Sequence, residues 1–185
     1  FSYPVKGGRA VSHVTADLLT TGLRHDREWM LVDCRRQPAQ FLSQRELPEM
    51  ATVTAVVVTE GGSDTLMLSA PGHEPLAASL TPGSQLWHVR VWNHETQAID
   101  VGDDAANWFS RVLGMPAGHL RLVRFNADLR RECNRAYAGS SGAHTFFADG
   151  YPVLVASESS LADLNGRMGR NGNRVLPMNR SLLLT

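Results

Sequence analysis

Between Ala51 and Gly102 the chain passes through four short stretches of sheet-forming residues: "ATVTAVVVTE", "TLMLSAPG", "QLWHVRVW" and "TQAIDVG". Turn residues separate them: "GGSD" after the first, and Asn93 and His94 between the last two. Alternating stretches of this length joined by tight turns pair as antiparallel hairpins. In the second pair, Trp87, Val89 and Val91 fall on one face and Leu86, His88, Arg90 and Trp92 on the other, so the all-apolar face is expected inward.

The flanking segments extend the β-rich pattern. "EWMLVD" is a continuous apolar run between polar ends, followed by the turn-like "CRRQPAQ" and then "FLSQR", which reads as two strands and a loop. "AANWFSRVLG" has a helical period, with Trp108, Phe109, Val112 and Leu113 on one face, Asp103 and Asp104 as caps and Gly114 as the stop. Beyond it, "LRLVRF" is a strand and "NADLRRECNRAYAGSSGAH" a long surface loop. "YPVLVASESSLADLNGRMG" changes from a buried strand, Tyr151 to Ala156, to a helix opened by Ser157, with Leu161, Leu164 and Met168 inward.

The fold class is therefore mixed and mainly β (α+β). The expected division is one domain over 1–114 and the opening of a second over 115–185. About 70 residues are few for a second core already holding two strands and a helix, and the chain closes on the apolar "SLLLT". The second domain is expected to be incomplete as given.

Equal numbers of acidic and basic residues, 18 of each, provide no global field for nucleic acid or an anionic membrane. No apolar stretch has the roughly 20 residues of a membrane span, and no secretion signal opens the chain. Cys34 and Cys133 stand far apart and outside any CxxC pair, so neither a disulfide framework nor a zinc site is expected. A reducing cytoplasm suits this composition.

Candidate site residues are few. The seven histidines have no ligand spacing, and no dinucleotide, phosphate-loop or zinc-protease motif occurs. Lys6 is the only lysine in the chain; Pro4 stiffens its approach and Gly7 and Gly8 follow it. That setting suits an anionic oxygen, and equally a solvated lysine. Around Asp26, Arg24 and Arg27 are placed so that one pairs with the carboxylate and the other faces phosphate; an exposed turn with one weak ion pair is the plainer reading. Ser157 opens a helix just after a strand, a geometry that binds phosphate or simply caps the helix. Arg167, Arg170, Arg174 and Arg180 form either a solvated face or an anion-facing rim.

Taken in order, "YPVKGGRAV", "TGLRHDREWMLVD", "FLSQRELPEM", "FADGYPVLVASESSLADLN" and "LPMNR" resemble MOSC-domain proteins that carry the MOSC N-terminal β-barrel-like domain, among them bacterial MOSC proteins and the mitochondrial amidoxime-reducing component. The resemblance implies a β-barrel-like first domain, the start of a MOSC barrel, and a molybdenum cofactor whose phosphate-bearing pterin (molybdopterin) lies between them. It places Lys6, Arg27 and Ser157 at that cofactor, with Arg180 of "LPMNR" beside them. A compact ammonium suits a phosphate contact.

Two departures accompany it. After "PMNR" the family continues with Phe-Arg-Pro-Asn, whereas this chain reads "SLLLT", and the resemblance implies that the cysteine binding molybdenum in the family corresponds to a position past Thr185. Cys34 and Cys133 do not match it, so no metal ligand is assigned here. The resemblance implies a parent oxidoreductase that reduces N-hydroxylated or related N–O and S–O compounds, with a small-molecule substrate and electrons from a reductase or iron–sulfur partner. Three alternatives remain: a non-catalytic phosphate-ligand module, a sulfur-carrier or transferase protein, and a pyridoxal phosphate protein with Lys6 as the imine-forming lysine.

Overall fold

In the computed structural model, which describes residues 1–80, 85–170 and 182–184, the first strands are the two-residue pair β1 (Leu18–Leu19) and β2 (Gly22–Leu23). β3 (Trp29–Asp33) and β4 (Ala39–Phe41) follow, joined through a cis Gln37–Pro38 peptide. β5 (Thr54–Glu60), β6 (Ser63–Ala70) and β7 (His73–Ser79) form a three-stranded antiparallel sheet. β8 (Leu86–Val91), β9 (His94–Asp100), helix α1 (Asp103–Val112) and β10 (Leu120–Phe125) complete the β-rich part.

Five strands close a barrel in the order β10-β3-β4-β8-β9, with β9 paired back onto β10. All of its pairings are antiparallel except β4 with β8, which run parallel. The barrel explains why "WMLV" is continuously apolar rather than alternating. Met30 and Val32 pack with Val89, Val91, Ala98 and Val123, while Trp29 and Leu31 pack with Leu66, Leu68, Trp108 and Phe109. A strand buried on both faces carries apolar residues at successive positions. β10 divides in the same way, Leu120 and Leu122 to one core and Val123 and Phe125 to the other.

Several expectations shift. The second strand after "EWMLVD" is Ala39–Phe41, so Ala39 and Gln40, expected in a turn, lie in sheet. The β5–β6 turn is only Gly61 and Gly62, both at positive φ, and "HEPLAAS" is a third strand without the alternation that marks the other two. Asp103 and Asp104 lie in the first turn of α1 behind Gly102, which makes no side-chain cap; Asp103 pairs instead with Arg121 at 2.5 Å. The expected inner residues Trp108, Phe109 and Leu113 are buried, and Gly114 ends the helix at φ 62°.

The 126–144 segment is not simply a surface loop. It folds back on itself through a Glu132–His144 bridge, contains helix α2 (Arg135–Ala138), and buries Arg131 and Cys133. Conversely, the stretch expected as a buried strand is exposed at Tyr151, Leu154 and Val155. Its strand is β11 (Val155–Ser157), followed by α3 (Glu158–Arg170) and paired in parallel only with β12 (Leu182–Leu184) among the described residues. Among the described residues it has one neighbouring strand, and none covers Leu154 or Val155. Met168 lies in α3, and its inward placement lies outside what is described.

Gly22 joins this C-terminal segment to the first part of the chain. It has a φ of 114°, and a Cβ there would stand 2.5 Å from the carbonyl oxygen of Pro152. Gly22→Ala therefore needs both an unfavourable backbone conformation and displacement of the 150–153 segment. The expected loss is about 2 kcal/mol or more, read as a lowered urea midpoint with unchanged m-value.

Candidate functional site

Main-chain pairing places Lys6 beside Arg27. The segment 3–6 runs alongside 27–29 through Arg27 N–H to Tyr3 O (2.8 Å), Trp29 N–H to Pro4 O (3.0 Å) and Lys6 N–H to Trp29 O (2.8 Å). Val5 forms a parallel bridge with Trp29, and both side chains are buried. Pro4, lacking an N–H, only accepts here, so its position disturbs no donor.

Lys6 is only 8% exposed. Its ammonium donates to Phe147 O at 2.9 Å and to Asp149 Oδ1 at 2.5 Å, and lies 5.1 Å from the Phe41 ring centre and 6.0 Å from that of Trp92. Burial pushes the ammonium below its ordinary pKa; Asp149 opposes the shift, and the cations Arg131 and Arg27 add to it. Burial acts to raise the Asp149 carboxyl, but the hydrogen bond and charge of Lys6 outweigh it and hold the group low. Trp92, at a φ of 54° in the β8–β9 turn, donates its indole N–H to the same Asp149 oxygen at 3.0 Å.

Arg27 also has a left-handed backbone, φ 48°. Its guanidinium stacks 4.3 Å from the Tyr3 ring centre and pairs with Asp26, whose other oxygen accepts from Tyr3 N–H at 2.7 Å. Burial lifts the Asp26 carboxyl above its usual range against the pull of Arg27. Thus the arginine that faces the site is the one that holds Asp26, and Arg24 is taken by Asp17 at 2.8 Å. The division of labour expected around Asp26 is corrected accordingly.

Lys6, Arg27, Arg45, Tyr3, Trp92 and Asp149 line a cleft of about 280 Å³, with Gly7, Gly8 and Gln44 among its other walls. The glycines serve the chain's own packing. A Cβ on Gly8 would lie 3.1 Å from Val5 O and 3.3 Å from Val53 O, and one on Gly7 would lie 3.2 Å from Met50 Cε. A larger recess of 440 Å³ against 132–143 contains none of the expected cofactor residues. The chemistry gathers in the smaller cleft.

Ser157 does not line that cleft. Its Oγ accepts from Ser160 N–H at 3.1 Å, the contact of a helix cap. Arg167 pairs with Asp163 at 2.7 Å, one turn away. Arg174 and Arg180 lie outside the described residues, as does the side chain of Arg170. Cys34 and Cys133 are both free thiols raised in pKa by burial, and neither lines the cleft. Among the described residues no cluster of three histidine, cysteine or acidic side chains is placed to hold a metal ion.

The sequence reading missed Asp149, Trp92 and Arg131. In the sequence Asp149 stands only within the "FADG" of a motif, Trp92 on the mixed face of its strand, and Arg131 within a polar loop. No local spacing reveals a partner 143 positions away, as Asp149 is from Lys6.

Behind the cleft, Glu28 ties the 25–28 turn to β10. It accepts from Arg124 at 2.6 Å and lies 2.8 Å from His25 Nδ1. Burial acts to raise its carboxyl, but the bonds from His25 and Arg124 prevail and hold it below its ordinary value. Its stabilisation is therefore full above the ordinary glutamate value of about 4.3 and is lost as pH falls through the lowered one. Glu28→Gln is expected to cost about 1–2 kcal/mol at pH 7. The gap from the unsubstituted protein should close with acidification, as followed by urea unfolding from pH 7 downward.

This arrangement of barrel and cleft coincides with a family match: the family model for the MOSC N-terminal beta barrel domain covers residues 1–116. The chain belongs to this MOSC N-terminal barrel family. Mitochondrial amidoxime reducing component 2 of Bos taurus is 32% identical over 174 residues, 90% of this chain and 49% of its own length. That of Rattus norvegicus is 30% identical over 90% of this chain and 49% of its own. Molybdenum cofactor sulfurase of Solanum lycopersicum is 28% identical over 93% of this chain and 21% of its own. The chain thus spans about half the length of the amidoxime-reducing relatives and about a fifth of the sulfurase. Among the described residues no helix is long and apolar enough to cross a membrane.

Proposed function

We propose that the cleft between Lys6 and Arg27 holds the phosphate-bearing pterin of a molybdenum cofactor, and that a longer protein containing this chain reduces N-hydroxylated or related N–O and S–O compounds. The observation that carries this is the pairing of 3–6 with 27–29, which sets two cations side by side in one cleft. Among the described residues, Lys6 gives two of its three ammonium N–H donors, to Phe147 and Asp149. Phe41, Trp92 and Tyr3 offer flat walls suited to a planar ring system. The cleft residues suit the anionic and pterin parts of the group; the soft thiolate that molybdenum favours is not among them.

When bound, the cofactor would supply removal of the substrate oxygen, with two electrons from a reductase or iron–sulfur partner and two protons releasing water. The relatives named as amidoxime-reducing components support this choice of substrate class. The sulfurase relatives, matched over 93% of this chain, support a second reading, in which the same cleft serves a sulfur-transfer protein acting on the cofactor.

The test is elemental analysis for molybdenum and pterin fluorescence on the longest native form of the protein, followed by assay of benzamidoxime reduction with an artificial electron donor. Stoichiometric metal with reduction supports the oxidoreductase, and metal without it favours the sulfurase-like reading. Absence of metal and pterin overturns both. A phosphate ligand alone would leave a binding module, and an imine absorbance lost in Lys6→Arg would point to pyridoxal phosphate.

A further inference from the structure

The 146–149 segment has an unusual distribution of bonds. Phe147 N–H donates to Arg27 O at 2.9 Å and Phe147 O accepts from Lys6 at 2.9 Å, so this buried residue bridges the two cofactor candidates. The carbonyls on either side turn the other way, to Arg131. Its Nη1 donates to Phe146 O at 2.8 Å and Ala148 O at 2.5 Å, and its Nη2 donates to Asp149 O at 2.8 Å. Arg131 is 7% exposed and, among the described residues, forms no ion pair with a carboxylate.

Among the described residues its direct hydrogen bonds go to backbone carbonyls, and the Asp149 carboxylate acts on it through charge alone; a guanidinium buried in this way is costly, and a smaller neutral side chain could fill the space. What it alone offers is a rigid planar fork that reaches three carbonyls of one short segment at once. We infer that Arg131 is the positioning residue of the cleft: it clamps the 146–149 strap, whose Phe147 carbonyl and Asp149 carboxylate hold the Lys6 ammonium in place. Its value for cofactor binding rests on the reading of Lys6 given above, but the clamp itself does not.

The closing experiment uses no cofactor, so its failure and that of the functional reading are distinguishable. Because the chain has a single lysine, its Nζ resonance after 15N-lysine labelling is unambiguous, and the rate of Lys6 modification by trinitrobenzenesulfonate can be followed by peptide mass. In Arg131→Gln the modification rate should rise by about tenfold or more, as expected when charge-assisted bonds that close a buried site are lost. The Nζ signal should broaden, with the amides of β5–β7 unmoved. Arg131→Lys retains the charge without the fork and should restore less than half of the protection. An unaltered Lys6 rate and signal in folded Arg131→Gln overturns the inference, as does full restoration by lysine. Should Arg131→Gln fail to fold, Arg131→Lys decides: an exposed Lys6 supports the clamp and an unmoved one overturns it.

Discussion

Lys6→Ala is expected to lower the molybdenum and pterin content of the purified longer protein roughly ten- to a hundredfold, the range set by losing charge-assisted hydrogen bonds to one anion. The fold should survive. Asp149, the partner left behind, has a side chain 76% exposed, so water can take the place of the ammonium. Lys6→Arg is not expected to restore binding. The slot between Phe41 and Trp92 admits a compact ammonium at 5.1 and 6.0 Å from their ring centres, and the guanidinium is broader and flat. Elemental analysis with near-ultraviolet circular dichroism on the same samples separates a lost ligand from a lost fold. Full metal content in Lys6→Ala would remove Lys6 from the cofactor site.

The largest stability effect is expected from Phe109→Ala. Phe109 is fully buried, lies edge-on to Trp108 at 5.1 Å, and shares one core with Leu31, Leu66, Leu68, Leu120 and Leu122. It therefore joins the outer face of the barrel, the three-stranded sheet and α1. Removing the ring leaves a cavity between three elements that are each anchored elsewhere, so collapse around it is limited. The expected cost is about 3–5 kcal/mol, a large share of a domain stability of roughly 5–15 kcal/mol, with Tm lowered by about 10 °C. Val56→Ala, on the partly exposed β5, provides the contrast, with a change of about 0.5 kcal/mol. Equal effects at the two positions in thermal unfolding would show that the core at Phe109 is not the junction described.

Much of the fold was legible because its signals are local. The period of "AANWFSRVLG" marked α1 and its buried residues, and the glycine pair after "ATVTAVVVTE" marked a hairpin. The continuous "WMLV" marked a strand without showing why it lacks alternation. That reason is tertiary, since β3 separates two cores and so carries apolar residues on both faces. "HEPLAAS" was missed because proline and alanine weaken the alternation, and only pairing with β6 makes it a strand. "YPVLVA" was expected to be buried from its composition, but burial depends on a covering layer that no residue of the segment supplies itself.

The cleft divides along the same line. By itself the sequence determined that one lysine stands after Tyr-Pro-Val, that Arg27 precedes a buried strand, and that both lie in motifs resembling a cofactor-binding family. Only the tertiary structure decided that these two cations share a cleft, that Asp149 and Phe147 hold the lysine, and that Arg131 turns inward to clamp them. Hydrogen-bond and hydrophobic periods repeat over a few residues and can be read along a chain. A buried charge is settled by whichever groups the completed fold brings within about 3 Å of it, however distant they are in sequence.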